Sequence, residues 1–120
     1  GGDLFFHLKR ILNKSNGKCG FEFNQTRIIL AEVYLALEHV HKHNFIHADL
    51  KMENIMVTGS GHIKLIDFGL AVPIISNIIS QPMKKLQGSI SSMAPELLHK
   101  KKQTGGRHTD WRAYGIVAHE

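Results

Sequence analysis

Four polar residues set around two short apolar runs are the part of this chain whose types and spacing could do chemistry. Asp49, Lys51 and Asn54 lie in His47-Ala48-Asp49-Leu50-Lys51-Met52-Glu53-Asn54, which ends where Ile55-Met56-Val57 begins. A second apolar run, Ile63 to Ile66, delivers Asp67-Phe68-Gly69. A carboxylate and an amide oxygen are hard donors of the kind Mg²⁺ takes. A further carboxylate can orient a hydroxyl and accept its proton, and a lysine can offset the charge of a phosphoryl group. Two acids, an amide and an ammonium suit phosphoryl transfer from a magnesium-bound nucleotide, provided that the fold brings them to one place.

The elements on either side must do that positioning. Apolar residues at 4, 5, 6, 8, 11 and 12 predict a short helix over Leu4 to Leu12, and Asn13 to Gly20 is loop by composition. A second helix is expected from an N-cap at Asn24 or Thr26, with Ile29, Val33, Leu37 and Val40 recurring at helical spacing. Leu30, Leu35 and Ala36 widen that face, so this helix reads as largely buried. His39, His41, Lys42 and His43 crowd its last turn, where the helix dipole favours cations, and Asn44 suits a left-handed stop. His39 and His43 are four apart and could share a metal, but no acid or cysteine nearby completes a set.

Thr58-Gly59-Ser60-Gly61 joins Ile55–Val57 to His62–Ile66 as a four-residue hairpin loop. That hairpin would place Asn54 and Asp67 across from each other on two strands, a firmer mount than two loops. Beyond Gly69, the spacing of Ile74, Ile75, Ile78 and Ile79 predicts a helical turn packed on its own domain, with a partner-docking or self-inhibiting helix as the alternatives. The fold class expected is α+β, mainly helical, with one small antiparallel hairpin.

Composition sets the bounds. The chain has 120 residues, 42% hydrophobic and 21% charged, which is ordinary for one small globular domain. One cysteine, Cys19, rules out an internal disulfide and suits a reducing compartment. No apolar run is long enough to span a bilayer and no signal peptide opens the chain, so an intracellular protein, cytoplasmic or nuclear and without membrane insertion, is expected. The net charge is +5 with histidine neutral, and the sequence pI is about 9.5. The densest basic run, Lys100-Lys101-Lys102, has no interleaved aromatics to stack bases, so it reads as a solvated loop and no nucleic-acid partner is expected.

The stretch around Asp49 resembles the catalytic loop of protein kinases, with His-Ala-Asp in place of the usual His-Arg-Asp, and Asp67-Phe68-Gly69 resembles their DFG motif. Asp67 falls thirteen residues beyond Asn54, Met93-Ala94-Pro95-Glu96 resembles the APE signature, and Asp110-Trp111 resembles the start of the larger lobe's central helix. The opening Gly1-Gly2-Asp3-Leu4-Phe5 is similar to the segment after the hinge in the AGC group of Ser/Thr kinases, which includes the cyclic-AMP-dependent and ribosomal-protein kinases. The resemblance covers the whole chain, while residues 1–120 would be a partial kinase domain, from the hinge end to the start of the central helix. No G-x-G-x-x-G occurs here. The small lobe and the rest of the larger lobe would lie outside it.

The resemblance implies ATP and Mg²⁺ as cofactors and a protein substrate. It makes Asp49 the acid that orients the substrate hydroxyl, Lys51 the lysine beside the transferring phosphoryl group, and Asn54 and Asp67 the metal ligands. Asp3 would contact the nucleotide ribose and Met56 would pack under the adenine. Glu53 resembles the acid some relatives use to hold a substrate arginine, which with Asp3 suggests a basic substrate. His47 and Phe68 would stack between catalytic loop and Gly69. Ser89 would bond to the catalytic pair, Glu96 would close the activation segment, and Asp110 would hold the loop backbone.

Several residues depart from the family pattern. Ala48 replaces the arginine that clamps the activation-segment phosphate, and Lys85 fills the position of the phosphorylated threonine. These two changes fit each other, because an arginine beside a lysine with no phosphate would be repulsive. Ser91 and Ser92 replace an acid–aromatic pair, Arg112 replaces a second tryptophan, and Tyr114 replaces an aliphatic residue. The enzyme expected is a Ser/Thr protein kinase, with these 120 residues inactive alone. A pseudokinase scaffold and a partial gene product without independent function are the competing readings.

Overall fold

Helix α1 (Leu4–Lys14) starts where Asp3 can cap it: Asp3 Oδ1 accepts from the Phe6 amide at 2.7 Å. The architecture is that of a computed structural model describing residues 1–75, 78–79 and 106–120. Helix α2 (Phe23–Lys42) starts earlier than Asn24 or Thr26 suggests, with Glu22 as its N-cap residue. Gln25 Oε1 accepts from the Glu22 amide at 3.3 Å, and the Thr26 hydroxyl donates back to the Glu22 carbonyl at 3.1 Å. That reach from the third helical position satisfies an end amide without a Ser, Thr or Asn cap.

Helix α2 is also less buried than expected. Val33, Leu37 and His41 form its buried stripe at four-residue spacing, whereas Leu35 is 59% and Ile28 58% exposed. Asn44 then turns left-handed at φ 59° and ends the helix. Strand β1 (Phe45–Ile46) leads to the stretch from His47, which closes in a 3-10 turn at Met52–Asn54. Strands β2 (Ile55–Val57) and β3 (Ile63–Leu65) pair antiparallel, Ile55 opposite Leu65 and Val57 opposite Ile63. In the connecting loop the Thr58 hydroxyl donates to the His62 carbonyl at 2.9 Å, and Gly61 takes φ 85°, a value open to glycine.

The expected helical turn after Gly69 is instead a second hairpin. Strand β4 (Val72–Ile75) pairs with β1, Ile46 opposite Val72, and with β5 (Ile78–Ile79), Ile74 opposite Ile79. β-Branched side chains favour a pleated surface over a helix, and the Ile74 amide finds the Asn44 carbonyl at 2.7 Å. Helix α3 (Arg107–His119) follows, its first turn steadied by the Gly106 amide donating to Thr109 Oγ1 at 3.3 Å. Lys85, Ser89, Ser91, Ser92, Met93 to Glu96 and Lys100 to Lys102 lie outside the described residues.

The core joins the three helices, the loop before β2 and the β2–β3 hairpin. Leu4 of α1, Val33 and Leu37 of α2, Leu50 and Met52 of the loop, Ile55 and Leu65 of the hairpin, and Ala113 and Val117 of α3 pack into one cluster. The α+β class, mainly helical with small antiparallel sheets, holds among the described residues. Among them, no helix is long and apolar enough to cross a membrane.

Candidate functional site

The site is built on one buried carboxylate. Asp110, in the first turn of α3, accepts from the His47 amide through Oδ2 at 2.8 Å and from the Ala48 amide through Oδ1 at 2.9 Å. Oδ2 also lies 2.7 Å from His41 Nε2 at the end of α2. Two successive amides converge on one carboxylate, and Ala48 adopts φ 65° there. For a residue with a Cβ that left-handed conformation costs roughly 1–2 kcal/mol, which the charge-assisted hydrogen bonds offset. The sequence pattern groups His41 only with the helix-end cations. Its place on the Val33–Leu37–His41 stripe was the signal that it faces inward.

His47 is fully buried and uses both ring nitrogens. Nδ1 accepts from the Asp49 amide at 3.3 Å and Nε2 donates to the Ile66 carbonyl at 3.0 Å, which assigns the proton to Nε2. Its ring lies on Phe68, with centroids 4.8 Å apart. The loop and the end of β3 are thereby tied together by one side chain.

Above that base, Asp49, Lys51 and Asn54 form one hydrogen-bonded set. Asp49 Oδ2 accepts from Lys51 Nζ at 2.9 Å and from Asn54 Nδ2 at 3.0 Å, and Asn54 Nδ2 also donates to the Asp49 carbonyl at 2.8 Å. Asp49 and Asn54 are buried while Lys51 is a quarter exposed. The amide nitrogen of Asn54 is committed to Asp49, so its oxygen is the atom left for a cation.

Asp67 reaches the same neighbourhood through the backbone. The Ile66 amide donates to the Asn54 carbonyl at 2.9 Å, so Asp67 begins one residue past the Asn54 pairing. It takes φ 61°, and its Oδ1 accepts from the Gly69 amide at 3.2 Å. A Cβ at Gly69 would come within 3.1 Å of that Oδ1, so glycine leaves the carboxylate its room. Among the described residues no three His, Cys, Asp or Glu side chains are grouped to hold a metal by themselves. An amide and an exposed carboxylate fit Mg²⁺ that arrives with phosphate oxygens and water as its other ligands.

The remaining sequence candidates sit apart from this set. Asp3 pairs with Met56 across an isolated antiparallel bridge, and the Val57 amide donates to the Gly2 carbonyl at 2.9 Å. Glu53 is exposed on the 3-10 turn. Ser89 and Glu96 fall outside the described residues. His39 and His43 stack with centroids 4.4 Å apart.

Two contacts that the sequence did not point to brace the hairpin and α3. Glu32 of α2 accepts from the Ile63 amide and from His62 Nδ1, both at 2.7 Å, and those bonds, the backbone one first, hold its carboxyl below the usual range. Arg107 Nη2 donates to the His41 carbonyl at 3.3 Å and to Asn44 Oδ1 at 3.5 Å, placing a cation at the negative end of α2. Tyr114 fits between the helices, its hydroxyl donating to the Leu30 carbonyl at 3.1 Å beside Tyr34 and Trp111. Burial, and then the neighbouring Tyr34, raise its phenol's pKa.

Comparison with known proteins gives the family. Residues 1–120 match the protein kinase domain. A probable serine/threonine-protein kinase of Dictyostelium discoideum is 37% identical over 120 residues, all of this chain and 24% of that protein. The RAC-beta serine/threonine-protein kinase of Rattus norvegicus is 38% identical over the same length, 23% of its own chain, and the G protein-coupled receptor kinase 1 of Caenorhabditis elegans is 35% identical, 17% of its own. The chain thus spans about a quarter or less of the relatives it matches. By full-length match and by these relatives, the chain belongs to the protein kinase family.

Proposed function

We propose that the full-length protein transfers the γ-phosphate of ATP, taken with Mg²⁺, to serine or threonine hydroxyls of protein substrates. The observation that carries this reading is the Asp49–Lys51–Asn54 set, hydrogen-bonded within itself and paired through the backbone of Asn54 to Ile66, the residue before Asp67. Asn54 Oδ1 and the Asp67 carboxylate would hold the cation, which when bound offsets charge on the phosphate oxygens. Asp49 Oδ2 is engaged by two donors, so Oδ1 is the oxygen to accept a hydroxyl proton. Lys51 sets a positive charge beside that carboxylate, where the phosphoryl group would pass.

The nucleotide's other end has its own candidates. Asp3 uses Oδ1 to cap α1, leaving Oδ2 for a ribose hydroxyl, and Met56 across the bridge offers an apolar floor for adenine. Exposed Glu53 is suited to a basic side chain on the substrate. His47, Phe68, Gly69 and Asp110 hold the loop, with Ser89 and Glu96 in the activation segment.

The test is phosphoryl transfer by the full-length protein to Ser/Thr peptides with labelled ATP and Mg²⁺. Transfer is expected, and Asp49→Asn should lower it by about 10²–10⁴-fold. Ala48 favours a second reading, a pseudokinase that scaffolds partners without transfer, because it removes the guanidinium that clamps an activating phosphate. Magnesium-dependent ATP stabilisation without transfer would assign that reading. Absence of both would remove the phosphotransferase reading altogether.

A further inference from the structure

We infer that the outward face of α1 docks an acidic peptide segment of a partner protein, one with an apolar side chain among its carboxylates. Phe5, Phe6, Lys9 and Arg10 build that face. Residues four apart lie on one side of a helix, so Phe5–Lys9 and Phe6–Arg10 form two adjacent rows. The opposite side of the helix is anchored by buried Leu4 and by Leu8 against the core. Phe6 is left 53% and Phe5 37% exposed, with Lys9 Nζ 4.3 Å above the Phe5 ring.

The charge around these rings has one sign. From Leu4 to Phe21 the chain carries Lys9, Arg10, Lys14 and Lys18 and no acidic residue. Among the described residues, none of these four cations is in an ion pair. The flanking acids are used locally: Asp3 caps α1, and Glu22 sits at the N-terminus of α2.

Such a face selects its complement. A polyanion without apolar groups would leave Phe6 in water, and an apolar partner without charge would desolvate the cations uncompensated. A segment carrying both satisfies the rings and the ammonium and guanidinium groups together. The surface is opposite in sign to Glu53 and lies on a different element, so it serves a partner other than a basic substrate. The inference stands independently of the phosphotransferase reading.

The experiment uses the full-length protein and a short fluorescent peptide alternating Glu and Asp with Phe and Leu, read by anisotropy. Binding is expected, weakening as salt rises. Lys9→Glu/Arg10→Glu should weaken it by about tenfold or more, and Phe6→Ala by about tenfold, while Lys9→Arg/Arg10→Lys keeps it. Lys9→Gln/Arg10→Gln serves if the reversed variant does not fold. Transfer to a basic peptide, where the wild type performs it, should be unchanged in every variant. Peptide binding that ignores the charge-reversed variant overturns the inference, as does binding that ignores Phe6→Ala. Binding to phosphatidylserine vesicles without binding to the peptide overturns it in favour of a membrane surface.

Discussion

His41 Nε2 lies 2.7 Å from Asp110 Oδ2, with both side chains buried at the junction of α2 and α3. The same carboxylate holds the His47 and Ala48 amides, so one group serves three donors from two separate elements. Replacing it by alanine would strand all three in the interior. Asp110→Ala is expected to destabilise the protein by about 3–5 kcal/mol, the range for breaking a buried charged network. His41→Phe, which keeps a ring against Trp111, should cost clearly less. Urea unfolding of the full-length protein and both variants checks the order.

Ala48 offers a change in the other direction. Its φ of 65° is a conformation in which a Cβ is penalised and glycine is not. Ala48→Gly is expected to stabilise the protein by up to about 1 kcal/mol, after allowing for glycine's greater freedom when unfolded. The unfolding midpoint measures it. A midpoint that falls would mean that the loop is held in this conformation at no cost to Ala48.

These two sites show what the sequence made legible. The β2–β3 hairpin was readable because its signals are local: two short apolar runs joined by the turn residues Thr58–Gly61. The hairpin of β4 and β5 was not. The spacing of Ile74, Ile75, Ile78 and Ile79 satisfies a helical side and a two-strand pairing equally well. What decides is the Asn44 carbonyl and strand β1, a partner thirty residues away that no local pattern displays. His41 was hidden for a related reason. In a histidine-rich last turn, only its place on the buried stripe sets it apart from exposed His39 and His43.

Asn54 provides a test of the set itself. Its Nδ2 donates to Asp49 Oδ2 at 3.0 Å, so Asn54→Asp would face one carboxylate with another. Two charges at that separation repel by several kcal/mol at an effective dielectric of about 20. A divalent cation relieves that repulsion, so the variant is expected to lower the Mg²⁺ concentration needed for nucleotide stabilisation by about tenfold or more. A magnesium titration of the ATP-dependent thermal shift gives the comparison. An unchanged Mg²⁺ requirement would mean that Asn54 does not sit at the cation.

Glu32 predicts how stability responds to acid. The Ile63 amide and His62 hold its carboxyl below the ordinary value of 4.5, so the folded state binds that proton less readily than the unfolded chain does. The stabilisation is therefore fully present above about pH 4.5 and is lost as pH falls through the lowered folded value. His62, which faces Glu32 from the hairpin, is the one side chain bonded to it among the described residues. Glu32→Gln keeps the shape but removes the ionisable group. Its unfolding midpoint is expected to fall below that of the wild type near neutral pH and to approach it in acid. Equal losses at neutral and acid pH would show that Glu32 acts through shape alone, and that the ionised carboxylate is not what ties α2 to the start of β3.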